Sequence, residues 1–247
     1  LKKVISYCLW GNNGFYTVNC IRNADLALTV FPDWICRVYT SPNVPKAIIE
    51  ELKSRSNVEI ILMKEDEDWN GMFWRFYAAS DASVDVMISR DTDSLLNIRD
   101  KAAVDEWLGS NKDFHIMRDN RAHSTKILGG MWGARNKVIS NMVDLINNYS
   151  RKNSNNRKNI DQEFLAEIVY PLVINKSLVH DPLGRYGHGK EFPIPRKLPW
   201  YEKTMHGEWR GCEWFGDDND YIGKLAAGGC THNEYHKNFQ DEKYYKD

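Results

Sequence analysis

Basic charge is not in excess in this sequence: 33 Lys and Arg stand against 34 Asp and Glu, for a formal net charge of −1. Without a surplus to meet a phosphate backbone, no nucleic-acid partner is expected, although a single phosphate-binding pocket is compatible with this balance. No apolar run approaches the ~20 residues that cross a bilayer and no secretory leader stands out, so no transmembrane segment is expected. The cysteines are few and scattered, five in all: Cys8, Cys20, Cys36, Cys212 and Cys230. An odd, dispersed set fits reduced thiols better than a disulfide framework, and a cytoplasmic location is the expectation (the host cytoplasm, if the chain is viral). Internal repeats and low-complexity tracts are missing as well. What remains is a globular composition, 42% hydrophobic and 27% charged over 247 residues, enough for one large α/β domain or two small ones.

Aromatic residues are plentiful by contrast: nine Trp, twelve Tyr and nine Phe. Many sit in polar surroundings, as in Asp68-Trp69-Asn70-Gly71-Met72-Phe73-Trp74-Arg75-Phe76-Tyr77. Such rings either fill the core or stack on sugars and bases. Along the first hundred residues, strand and helix signals alternate. Strands are expected at Val4–Trp10, Trp34–Tyr39, Val58–Met63 and Val84–Ser89, with helices over Tyr16–Phe31, Pro45–Lys53 and Met72–Ser83. Alternation of this kind implies βαβ units and a largely parallel sheet. Further on, helices are expected over Ile98–Leu108 with Asn97 as N-cap, Lys137–Tyr149 and Asp161–Val173, and strands at Phe114–Arg118 and Ser177–His180. The reading is one domain, its C-terminal segment 196–247, rich in glycine, proline and aromatics, wrapping around the rest.

The stretch from Val84 to Ser94 carries the strongest chemical signal. A buried strand runs directly into Asp91 and Asp93, two carboxylates spaced i, i+2. Ligands of open α/β sheets bind beyond the carboxyl ends of strands, and two carboxylates there offer hard oxygen ligands for Mn²⁺ or Mg²⁺. The competing reading is a pair of capping or solvated turn acids. Asp161-Gln162-Glu163 opens a helix after a basic loop, so Asp161 and Gln162 either hydrogen-bond sugar hydroxyls or serve the helix N-terminus. His180, at a strand end, is a metal ligand or a structural imidazole. Gly129-Gly130-Met131-Trp132-Gly133 is a sugar-facing loop or an ordinary glycine-rich turn with a core tryptophan. The tail segment Cys230-Thr231-His232-Asn233-Glu234-Tyr235-His236 has too few soft ligands for a zinc site.

In order along the chain, Ile88-Ser89-Arg90-Asp91-Thr92-Asp93-Ser94, His115-Ile116-Met117-Arg118-Asp119, Gly129-Gly130-Met131-Trp132-Gly133 and Asp161-Gln162-Glu163-Phe164-Leu165 resemble the GT-A class of nucleotide-sugar glycosyltransferases. The likeness is nearest to a group found in bacterial surface-polysaccharide loci and large DNA viruses of algae, and it runs from about residue 3 to residue 195. It implies a single GT-A (Rossmann-like) domain with a mostly parallel sheet, in which residues 1–95 would form the nucleotide-binding half and 96–195 the sugar and acceptor half. Asp91 and Asp93 would hold Mn²⁺ or Mg²⁺, with Asp93 touching both metal and diphosphate, and His180 would be the third ligand. The His-x-x-Gly-x-Lys-Pro-Trp ending of one retaining family is not reproduced after His180, which leaves His188 and His206 as substitutes. Asp161 and Gln162 match the pair beside the anomeric carbon. Tyr7, Trp10 and Gly11 fall where base and ribose are held, Arg75 and Arg90 near the diphosphate, and Gly130 and Trp132 in the donor loop.

The activity implied is transfer of a sugar from a nucleotide diphosphate carrier, a UDP-sugar on class grounds, to a glycan acceptor with retention of configuration. Two rivals differ in chemistry. A sugar nucleotidyltransferase needs a basic glycine-rich loop after its first strand, and Gly11-Asn12-Asn13-Gly14 has no Lys or Arg. A non-catalytic carbohydrate-binding protein would use the aromatics for glycan and the two acids for Ca²⁺.

Overall fold

The computed structural model describes residues 1–64, 69–120, 122–153, 157–195 and Ile222. Its framework is a seven-stranded sheet. The strands are β1 (Lys3–Leu9), β2 (Trp34–Thr40), β3 (Val58–Leu62), β4 (Val86–Ser89), β5 (Phe114–Met117), β6 (Trp132–Arg135) and β7 (Ser177–His180). They lie in the order β3-β2-β1-β4-β6-β5-β7. Pairs β1/β2, β2/β3, β1/β4 and β5/β7 are parallel, while β6 runs antiparallel to both β4 and β5. The fold is thus the expected α/β domain with a mostly parallel sheet, interrupted by one reversed strand.

Near-continuous apolar strands such as Val-Ile-Ser-Tyr-Cys-Leu are what a sheet covered on both faces requires. On one face, Ile5, Tyr7 and Leu9 of β1 join Cys36, Val38, Val86 and Ile88 beneath helices α1 (Gly14–Val30), α2 (Lys46–Lys53) and α3 (Ile98–Gly109). On the other, Val4, Met87, Phe114, Ile116 and Trp132 meet Phe73, Phe76, Met142, Ile146 and Phe164. Burial of this kind stabilises by about 25 cal/mol per Å² of apolar surface. Asn13 caps α1 by accepting from the Phe15 N–H (3.0 Å), and Asn97 caps α3 by accepting from Asp100 (2.9 Å).

Three local expectations need correction. Met72–Ser83 is not an α-helix; 3-10 turns run over Trp69–Ser80 instead. Phe73, Trp74, Arg75 and Phe76 are all buried there, between β1 and the helices of the opposite face, and one amphipathic helical face cannot bury four successive side chains. The helix expected from Lys137 starts at α4 (Met142–Lys152), because Lys137 adopts a left-handed φ of 71° that an α-helix excludes. The helix over Asp161–Val173 is broken into α5 (Ile160–Phe164), a π turn over Leu165–Val169 and α6 (Tyr170–Val173). Pro171 has no N–H to donate, and the π turn lets the Tyr170 N–H bond Leu165 instead.

The segment 196–247, expected to wrap the domain, lies outside the described residues apart from Ile222. That residue packs with Ala103, Met117, Met131 and Phe192, and its N–H donates to Asp119 at 2.8 Å. Cys8, Cys20 and Cys36 are buried free thiols. Among the described residues no helix is long and apolar enough to cross a membrane.

Candidate active site

A cleft of about 470 Å³ opens beyond the carboxyl ends of β1 and β4, where an open α/β sheet places its ligands. Its volume is in the range of small-ligand sites. One wall comes from the end of β1 and the turn after it, Cys8 to Asn13; another from Asp91 to Ser94 after β4; a third from Lys158 to Gln162 at the start of α5.

The loops forming these walls are tied to the sheet by side chains inside it. Ser6 and Ser89 are register partners on β1 and β4. The Ser6 hydroxyl donates to the Arg75 carbonyl (2.6 Å) and the Ser89 hydroxyl to the Gly129 carbonyl (2.7 Å). Asn23, buried on α1, holds the acidic turn itself. Its amide nitrogen donates to the carbonyls of Thr92 and Ser94, both at 3.1 Å, and its oxygen accepts the Leu96 N–H at 3.0 Å. Three hydrogen bonds from one buried amide satisfy it and fix where Asp91 and Asp93 emerge.

Arg75 joins two acids that are distant in sequence. One Nη donates to Asp91 (2.5 Å) and the other to Asp161 (2.7 Å). Burial works against its charge, but Asp91, Asp161 and Asp93 outweigh that and raise its pKa. The bridge needs Gly129 and Gly130 beneath it. A Cβ on Gly129 would fall 2.2 Å from Arg75 Nη2 and 2.5 Å from Asp161 Oδ2, and one on Gly130 would fall 2.2 Å from Asp91 Oδ2. Any side chain at either position would displace the bridge.

Burial raises the pKa of Asp161 while the Arg75 guanidinium opposes the rise, and the carboxyl oxygen Oδ1 of Asp161 is buried with no hydrogen-bond partner. Asp93 is pushed up to about 7, by burial first and by the charge of Asp91 second. Burial likewise holds the Cys8 thiol protonated, at about 11.

Of the residues singled out from sequence, Trp10, Gly11, Arg75, Asp91, Asp93, Asp161 and Gln162 line this cleft, with Gly130 against Asp91. Tyr7, Arg90, Trp132 and His180 do not. Tyr7 alternates to the opposite side of β1 from Ser6 and is a fully buried core residue. Arg90 turns inward to a bidentate pair with buried Asp100 (2.9 and 2.7 Å). Trp132 is no loop residue: it begins β6, stacked on Phe114 with ring centroids 5.2 Å apart. Gly133 is needed there for packing, since a Cβ would meet Trp107 at 2.9 Å and the Met87 carbonyl at 3.0 Å. His180 is buried on edge strand β7, paired with His115 (2.8 Å) and Glu106 (3.0 Å). His188 is exposed and does not line the cleft, and His206 lies outside the described residues.

Asn13, Tyr16, Trp69, His123 and Lys158 line the cleft without having been singled out. Two of them carried a signal: Asn13 sits in the turn closing the first strand, and Lys158 stands three residues before Asp161. His123 lies on a loop with no pattern to mark it; its Nδ1 accepts the Asp119 N–H at 3.0 Å. Among the described residues, no group of three His, Cys, Asp or Glu is arranged to hold a metal ion.

A Rossmann-like sheet with one reversed strand and acids at the end of β4 places the chain in the GT-A fold class. Solved structures share it. One, a glycosyltransferase involved in glycosylation of the major capsid of PBCV-1, matches with a TM-score of 0.50 at 15% identity, over 74% of this chain and 82% of that one. Another, the galactosyltransferase LgtC in complex with donor and acceptor sugar analogs, matches with a TM-score of 0.50 at 11% identity, over 72% and 73%. No family model and no curated protein matches the chain.

Proposed function

We propose that the protein is a metal-dependent glycosyltransferase that moves a sugar from a nucleotide diphosphate donor, a UDP-sugar, to a glycan acceptor with retention of configuration. The observation that carries this reading is the convergence of Asp91, Asp93, Arg75, Asp161 and Gln162 on one cleft at the sheet's carboxyl edge. Its fold likeness to solved glycosyltransferases agrees with it.

A divalent cation suits the acids that are present. Asp91 and Asp93 supply hard oxygens, and a dication between them would offset both the burial and, second to it, the charge of Asp91 that disfavour the Asp93 carboxylate. Since His180 is elsewhere, Asp91 and Asp93 would be the protein ligands, with phosphate oxygens and water completing the set. Mn²⁺ or Mg²⁺ held there would neutralise charge on the departing diphosphate.

The residues of the chain divide the remaining work. Trp10 and Gly11, beyond β1, receive the base and ribose. Arg75 keeps Asp91 and Asp161 in fixed relation. Asp161 is buried and pinned by Arg75, which suits it to orient the sugar and set the local field rather than to attack. Its unpartnered oxygen is an acceptor for a sugar hydroxyl. Gln162 adds an uncharged amide on the same wall. Retention by front-face departure then asks mainly for positioning of donor and acceptor.

Calorimetric titration with UDP, GDP, ADP and CMP, in Mn²⁺ and then in EDTA, tests the reading. One diphosphate is expected to bind in Mn²⁺ only, and to lose binding in Asp93→Ala. Absence of nucleotide binding under every condition would overturn it and leave a glycan-binding protein in its place.

A further inference from the structure

The charges of the cleft leave a diphosphate short of partners. Asp91, Asp93 and Asp161 line it against Arg75 and Lys158. Arg75 is already committed, one Nη to Asp91 and the other to Asp161. Lys158 is in a different position. It is exposed, it lines the cleft, and among the described residues its ammonium has no ion pair. The neighbouring Arg157 is paired with Glu163, so that acid is engaged. Asn159, with a left-handed φ of 70°, joins Lys158 to α5, and Lys158 lines the wall that carries Asp161 and Gln162. Lys158 lines the same cleft as Asp91 and Asp93, which puts it on a wall of the space a diphosphate at the acidic turn would occupy.

We infer that Lys158 binds the diphosphate of the donor and stabilises it as it leaves, a role that rests on the glycosyltransferase reading above. As the bond from the anomeric carbon to the β-phosphate oxygen breaks, its electron pair stays on that oxygen. The acceptor oxygen forms the new bond to the same carbon, and its proton passes to the leaving diphosphate. Lys158 donates a hydrogen bond to the oxygen that gains charge and transfers no proton itself. A flexible ammonium follows a moving phosphate more readily than a guanidinium already held by two carboxylates.

The test compares UDP with UMP, each with Mn²⁺, on the whole chain. Wild type is expected to bind UDP more tightly than UMP. In Lys158→Met, UDP affinity is expected to fall roughly tenfold, with UMP affected much less, as loss of a charged hydrogen bond to the diphosphate predicts. Lys158→Arg should recover most of the difference, and Lys158→Met should keep the wild-type Tm because the side chain is exposed. Unchanged UDP affinity in Lys158→Met overturns the inference and leaves the glycosyltransferase reading standing. Failure of wild type to bind either nucleotide overturns both.

Discussion

From β1 to β3, the sheet is held by aliphatic and aromatic contacts: Ile5, Tyr7, Leu9 and Val38 pack against Ile21, Ala24, Ile48 and Leu52. A buried ion does occur there, Arg37, but its acids Glu59 and Asp81 are each 34% exposed. From the end of β4 to the turn after β7 the interior is built differently. Arg118 pairs with Asp181 at 2.7 Å with side chains 1% and 0% exposed, Arg90 pairs with Asp100, Arg99 pairs with Asp119, and His115 meets His180. Apolar packing tolerates replacement by apolar residues of similar volume, whereas a buried pair that loses one partner strands a charge. The region from β1 to β3 is therefore a tolerant platform, and the opposite region is held by specific buried pairs.

Breaking one such pair should have the largest effect. Arg118→Met leaves Asp181 buried and unpaired and is expected to cost about 3–5 kcal/mol in urea denaturation. The same measurement on Leu52→Ala, in the aliphatic region, should cost about 2–4 kcal/mol from lost burial and the cavity left behind. If the two costs are reversed, the contrast between the regions is wrong.

A third effect separates the regions by pH. Burial first, then the charge of His180, holds the His115 pKa well below its ordinary 6.5. Below pH 6.5 the unfolded chain binds a proton that the folded chain refuses, so stability falls as pH drops, by up to about 1.4 kcal/mol per pH unit from this residue. His115→Asn should flatten that slope even though it lowers stability at pH 8. A slope unchanged by the substitution would show that the imidazole is not the group responsible. The smallest effect belongs to the junction: Asn97→Ala removes the cap of α3 and should cost about 1 kcal/mol, leaving nucleotide binding intact.

Much of the first region was legible because its strands and helices carry their own periodicity. β1, β2 and β3 fall within a residue of the expected spans, β4 starts two residues later, and Asn97 caps α3 as expected. β7 falls on its expected span too. Reversed strand β6 was hidden, because Trp-Gly-Ala-Arg is too short to show alternation and its middle two residues, Gly and Ala, carry no strand signal. Its burial against Phe114 and Trp107 exists only once β4 and β5 flank it.

The site divides in the same way. An apolar strand followed by Asp91 and Asp93 is a local pattern, and so is a helix opening on Asp161 and Gln162; the sequence by itself determined that these were the residues to watch and that a βαβ sheet would carry them. Which other side chains join them was a tertiary matter. Arg75 and Arg90 are equally charged, and nothing in their neighbours says that one turns to Asp91 and Asp161 while the other turns to Asp100. Tyr7 and Ser6 are adjacent, yet the strand's two-residue period sends one into the core and the other to the loop that carries Arg75. Long-range pairing chose among chemically equivalent residues, because a side chain's role depends on the face it occupies and the partner it meets there, and both are decided only when the sheet has formed.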